Sequence, residues 1–164
     1  MFCVSMDAQK SFVETGGDIG QLLLPATAAV STLIYTDDSK PTLQYAKSFL
    51  VTFGITHGLK RLINKQRPNG GDYAFPSGHT SVAFVSAAFI ERRYGWKYGV
   101  PAYALASYVA WSRVDAEKHD WIDVSAGAVL GLAVAYIFTK PYNVGNTELA
   151  VGLQANSIGL KVKF

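Results

Sequence analysis

The chain has 164 residues, the size of one domain and enough to bury a core. Hydrophobic residues make up 49% and charged residues 16%, below the roughly 25% usual for soluble domains, and the mean hydropathy of +0.15 leans modestly toward a membrane protein. The formal charge of +3 is not laid out as the basic stripe of a nucleic-acid binder, and a single cysteine, Cys3, excludes an intrachain disulfide and a thiolate metal site.

The N-terminal segment, Met1 to Asp18, lacks the basic start and long apolar run of a signal peptide, so either none is present or the start of the natural chain is missing. A helical catalytic core is expected over residues 19–140. Ile19 to Tyr35 is an uncharged apolar segment, closed by a turn at Asp37, Asp38, Ser39 and Pro41. Thr42 to Leu59 reads as a second helix, followed by a breaker cluster at Pro68, Asn69, Gly70 and Gly71. A third should start at Ser77, a suitable N-cap, and run to about Tyr94. Val100 to Arg113 is the fourth. After a polar link, Asp115 to Lys118, a fifth runs from about Trp121 to Phe138 and stops at Lys140 and Pro141.

The tail, residues 141–164, changes period. Ile158, Leu160, Val162 and Phe164 alternate with Gly159, Lys161 and Lys163, and Leu149, Val151 and Leu153 make a similar run. Leu149 to Phe164 therefore reads as a hairpin packed at the edge of the helices. The expected fold is all-α, a bundle of about five helices with a short C-terminal hairpin. A span needs about 20 apolar residues. Ile19 to Tyr35 and Val124 to Phe138 approach that, and Tyr73 to Ile90 carries no formal charge if His79 is neutral, so an integral membrane bundle is expected, with a buried soluble bundle as the alternative.

Three short motifs carry chemistry: Lys60 with Arg67 and Pro68; Pro76-Ser77-Gly78-His79; and Ser112-Arg113, then His119, then Asp123. Lys60, Arg67 and Arg113 suit a phosphoryl group, Arg as a bidentate fork and Lys as a point charge. Three such cations match the oxygens of a phosphoryl group in flight. Ser77 and Gly78 precede a helix, where backbone N–H groups can face an anion. His119 and Asp123, four apart, are expected on one helical face. The carboxylate would accept from Nδ1–H and leave Nε2 as the nucleophile. His79 would protonate the departing oxygen and then activate water. The same two histidines and Asp123 also read as a two-His, one-carboxylate metal-ligand set. Three nearby cations oppose a divalent ion, so no metal and no cofactor are expected.

At these residues the chain resembles the type 2 phosphatidic acid phosphatase superfamily, whose pattern K-x6-R-P, P-S-G-H and S-R-x5-H-x3-D is met without departure. The resemblance implies His119 as nucleophile, Asp123 as its orienting partner and His79 as general acid. It also implies phosphate contacts from Lys60, Arg67, Ser77, Gly78 and Arg113. It implies a metal-independent phosphatase working through a phosphohistidine, a phosphorylated lipid as the substrate of membrane members, and vanadate as a phosphate-mimicking inhibitor. Soluble acid phosphatases and vanadate-dependent haloperoxidases share the anion site, and a non-catalytic lipid-binding bundle is the reading from another class. Membrane members usually have six spans against the five counted, which a missing N-terminal segment or a soluble fold would explain.

Around the motifs, His57 either faces the pocket or packs between helices. Asp72 and Tyr73 stand before the second motif, and Trp111 and Trp121 flank the third, as interfacial anchors or pocket walls. If the helices span, the motifs share one face. Lys40, Arg92, Arg93, Lys97 and Lys140 lie on the other, against Arg61, Lys65 and Lys118 beside the motifs. The positive-inside rule then turns the motif face to the periplasm or exterior.

Overall fold

The computed structural model describes residues 6–34, 40–141, 149–154 and 157–162, with residues 6–11 and those from 149 onward as backbone alone. Five helices form the body: α1 (Met6–Ile34), α2 (Lys40–Ile63), α3 (Gly78–Tyr94), α4 (Trp96–Asp115) and α5 (Trp121–Phe138). The architecture of this body is all-α.

The third helix is the centre, and it touches each of the other four. From Thr80 to Glu91 every residue of α3 except Phe84 is buried. Small side chains make this possible. Ala83, Ala87, Ala88, Ala102 and Ala106 are buried where α3 meets its neighbours. Two glycines of α5 lie directly on the α3 backbone. A Cβ on Gly127 would stand 2.6 Å from the Ser77 carbonyl oxygen, and one on Gly131 2.6 Å from that of Ser81. Gly95, at φ 86°, ends α3 and precedes α4, so one residue that tolerates a left-handed backbone makes the whole link.

The buried set is rich in hydroxyls and the surface is rich in large apolar groups. Thr32, Ser48, Thr52, Thr56, Ser81, Ser86 and Ser112 are at most 1% exposed, while Phe12, Leu33, Leu62 and Ile137 are more than 70% exposed. Thr56 and Ser81 share a hydrogen bond of 3.0 Å between α2 and α3, as do Tyr45 and Ser86 at 2.9 Å. Two helices, over Phe12–Ile34 and Trp121–Phe138, are long and apolar enough to cross a membrane.

The start of the first helix and the placement of His119 differ from expectation. The first helix begins at Met6, so Gly16, Gly17 and Asp18 are helical and not part of a leading segment. Its close approach to α4 explains the glycines: a Cβ on Gly17 would meet Ser112 Oγ at 1.9 Å. The fifth helix starts after Asp120, which accepts from the backbone N–H of Ile122 and Asp123. His119 therefore precedes the cap, and it does not share a helix with Asp123. In the tail, the backbones of β1 (Leu149–Gln154) and β2 (Ser157–Val162) run antiparallel, with Leu149 opposite Val162. The turn of the expected hairpin, 155–156, and its last two residues lie outside the described residues.

Candidate active site

The motifs meet at one end of the bundle. The end of α2 supplies Lys60, the following loop Arg67, the start of α3 Gly78 and His79, the end of α4 Arg113, and the link to α5 His119. These six line one cavity of about 610 Å³. Ser77 and Asp123, the other two expected site residues, are fully buried behind its wall.

Ser77 is the N-cap of α3, and its hydroxyl accepts from the Thr80 N–H and the Thr80 hydroxyl. Its own backbone N–H donates to the Asp123 carbonyl at 2.9 Å, so this amide is not free for an anion as expected. The bond ties the start of α5 to the start of α3, and so sets the second and third motifs against each other. Lys60 Nζ donates to the Tyr73 carbonyl at 2.7 Å and Arg67 Nε to that of Asp72 at 3.0 Å. The loop between these residues is thus folded by the cations that face the cavity. Arg113 is fully buried and reaches the cavity from behind, donating to Ser112 Oγ, the Glu14 carbonyl and Asp18.

His119 Nδ1 stands 3.5 Å from Asp123 Oδ2. The nitrogen is buried and has no fully formed hydrogen bond, so the pair sits close but unclosed. Asp123 is held independently. Lys65 Nζ donates to its Oδ1 at 2.7 Å, and the Asp120 N–H donates to its Oδ2 at 3.1 Å. Lys65 also pairs with Asp120. Burial pushes the His119 pKa below its usual 6.5, and the charges of Lys60 and Arg67 push the same way against the pull of Asp123. The ring is neutral at neutral pH, with a lone pair available.

Four charged residues of this region were not expected in it. Lys65 and Lys118 read as ordinary loop cations, yet Lys65 grips Asp120 and Asp123, and Lys118 lines the cavity and pairs with Glu14. Glu14 and Asp18 come from α1, one helical turn apart on one face. Asp18 bridges His79 and Arg113. The sequence did hold a signal: two carboxylates at the edge of an apolar segment mark a functional position more often than a structural one. His57 lies on the cavity wall, tilted against Phe53 with ring centroids 4.1 Å apart. Trp111 and Trp121 are exposed.

The arrangement can hold a compact polyanion between Lys60, Arg67 and Arg113, with a neutral imidazole on one wall and a second histidine on another. Among the described residues no group of three His, Cys, Asp or Glu side chains is set to hold a metal ion.

Comparison with known proteins agrees with this geometry. The sequence model of the PAP2 superfamily matches residues 69–144. A lipid A 4'-phosphatase of Helicobacter pylori is 35% identical over 111 residues, 60% of this chain and 56% of its own length. A lipid A 1-phosphatase of the same organism is 28% identical over 130 residues, 74% of this chain and 68% of its own. The match thus spans about half of the first relative and two thirds of the second. Among solved structures, LpxE of Aquifex aeolicus superposes with a TM-score of 0.69 at 19% identity, covering 82% of this chain and 87% of its own. A transmembrane PAP2-type phosphatidylglycerolphosphate phosphatase from Bacillus subtilis gives 0.60 at 21%, covering 82% and 77%. Motif order, helical fold and sequence similarity point the same way, and the chain is similar to the PAP2 superfamily over residues 69–144.

Proposed function

We propose that this chain is a metal-independent phosphatase that hydrolyses phosphate monoesters or pyrophosphates of lipids through a phosphohistidine on His119. The observation that carries the reading is the convergence of three cations and two histidines from separate elements on one cavity. No single residue would suffice, because helix-end cations and buried histidines are common.

Lys60, Arg67 and Arg113 bind the phosphate oxygens, and the free N–H end of α3 at Gly78 faces the same anion. His119 Nε2 attacks phosphorus while Asp123 takes the Nδ1–H and stabilises the imidazolium that forms. His79 gives its proton to the leaving oxygen as the P–O bond breaks. Water then attacks the phosphohistidine with His79 as base, releasing inorganic phosphate and restoring both rings. Ser77 acts by fixing the helix start, as its hydrogen bonds support.

A lipid substrate is supported by the names of the relatives, lipid A phosphatases and a phosphatidylglycerolphosphate phosphatase. It is supported also by the many exposed large apolar side chains and the hydroxyl-rich helix contacts, a pattern that suits helices in lipid. We read the five helices as membrane spans of a cytoplasmic membrane, with the site facing the periplasm or exterior. The pairing of Lys65 and Lys118 inside the site strengthens that orientation, because it leaves Arg61 against Lys40, Arg92, Arg93, Lys97 and Lys140. The alternating C-terminal tail belongs to the same reading as an edge hairpin. A soluble acid phosphatase is less favoured, since it would leave Leu62, Phe12 and Ile137 in water. The test is a panel of lipid and soluble phosphomonoesters assayed in detergent with vanadate as inhibitor. Phosphate release from lipids, blocked by vanadate, is expected. Release from soluble esters alone would favour the soluble alternative, and none from either would remove the reading.

A further inference from the structure

Asp18 lies inside the apolar run Phe12–Ile34 of α1, outside the segment matched to the family and outside all three motifs. A carboxylate in such a run is costly unless it is engaged. It is engaged twice through one oxygen. Oδ1 stands 3.0 Å from His79 Nε2 and 2.7 Å from Arg113 Nη1. The contact to Asp18 is the one hydrogen bond of the His79 ring among the described residues. The backbone around it is built for this approach. Gly17, the neighbour of Asp18, permits no side chain against Ser112 and Arg113, and the Glu14 carbonyl accepts from Arg113 Nη2 at 2.7 Å.

We infer that Asp18 is the positioning carboxylate of His79: it holds one ring nitrogen so that the other carries its proton to the leaving oxygen. The site then contains two histidine–carboxylate pairs, Asp123 with the nucleophile and Asp18 with the acid. This rests on the phosphatase reading above. The charges facing His79 explain why a carboxylate is needed. Arg113 of α4 and Lys118 of the following link act on it directly, and Lys60 and Arg67 stand on the same cavity with His57 and His119. Against these cations Asp18 is the carboxylate in direct contact with the ring. The proton passes from His79 to the alcohol in the first step and returns from water in the second.

The test uses the full chain in detergent with two substrates, a long-chain alkyl phosphate and para-nitrophenyl phosphate. The aryl leaving group departs without a proton donor, so only the alkyl ester needs His79 in the first step. Asp18→Asn should lower kcat/KM, which reports the first step alone, on the alkyl phosphate by about 10–100-fold and lose at least about tenfold less on the aryl ester. The alkaline limb of kcat on the alkyl ester should move to lower pH. Asp18→Glu, which keeps the charge, should recover part of the loss, and Asp18→Asn should add nothing to His79→Ala. Equal losses on both esters, or additive losses with His79→Ala, would reduce Asp18 to a packing residue and overturn the inference. So would an unchanged kcat with tighter inhibition by inorganic phosphate, which would make the carboxylate a displaceable plug. If the wild-type chain released phosphate from neither ester, the phosphatase reading itself would fall, a result distinct from wild-type activity that Asp18→Asn leaves intact.

Discussion

Asp123 Oδ2 faces His119 Nδ1 across 3.5 Å, with the carboxylate fully buried and the imidazole 4% exposed. The carboxylate approaches from the first turn of α5 and the imidazole from the link before it, so the capped helix start sets their separation. A phosphate arriving at the cations would place negative charge beside the ring and favour closure of this gap, because the imidazolium that forms needs the carboxylate. His119→Ala should therefore lower kcat by at least about 10³-fold, with the fold retained. Steady-state phosphate release together with a thermal melt checks it, and full activity in the variant would remove His119 from the chemistry.

Lys65 holds Asp123 in place for that pairing. Burial opposes its charge, but hydrogen bonds to Asp120 and Asp123 outweigh this and raise its pKa, so the ammonium is present at neutral pH. Lys65→Met removes a charge-assisted contact worth about 1.5–3 kcal/mol in comparable settings. It should lower kcat by about tenfold or more if that contact acts in the transition state. The KM should change little, because Lys65 lies behind the carboxylate and does not line the cavity. A kinetic comparison with wild type decides it.

The pH dependence follows from His119. Its pKa is held below the usual 6.5 by burial and by Lys60 and Arg67, so the ring stays unprotonated in mild acid. The acid limb of kcat/KM, which reports the free enzyme, should lie below the ordinary histidine range. Arg67→Gln removes one of the repelling charges and should move that limb upward. The sign for stability is the same: a histidine kept neutral in the fold contributes fully above the unfolded value and is lost as pH falls through the folded one. An acid limb centred at or above 6.5 would contradict the electrostatics of the site.

Packing between α3 and α5 should be equally sensitive. A methyl group on Gly127 would press on the Ser77 carbonyl, and one on Gly131 on Ser81 and Val85. Gly127→Ala should destabilise by about 1–3 kcal/mol, the usual cost of overpacking. It should also reduce activity, because Ser77 and Asp123 are hydrogen-bonded across that contact. Thermal melting and kcat measured on the same preparation test both. Gly58→Ala, where nothing lies within 4 Å of the added atom, is the control for stability.

The helices were legible where hydrophobic runs have clear ends. The fifth is bounded by Asp120 and by Lys140 with Pro141, and its observed limits match the expected ones. The first is expected only from Ile19, because Glu14, Gly16, Gly17 and Asp18 interrupt the apolar run. Their partners lie about a hundred positions away, on α4 and the link after it, and no local pattern reveals them. Lys65 was missed for the same reason: Asp120 and Asp123 stand 55 and 58 positions beyond it. The shared helix assumed for His119 and Asp123 failed on a signal that was present. Asp120 stands three residues before Asp123, the spacing of a reciprocal cap, and the helix begins after it.

The phosphohistidine can be sought directly. A His79→Ala variant given para-nitrophenyl phosphate keeps a leaving group that departs unaided but lacks the base for hydrolysis, so the intermediate should accumulate. Mass spectrometry of the rapidly quenched protein should find one acid-labile phosphoryl group, on the peptide carrying His119. A burst of nitrophenol with no phosphoryl group on that peptide, or with one on any other residue, would contradict the account.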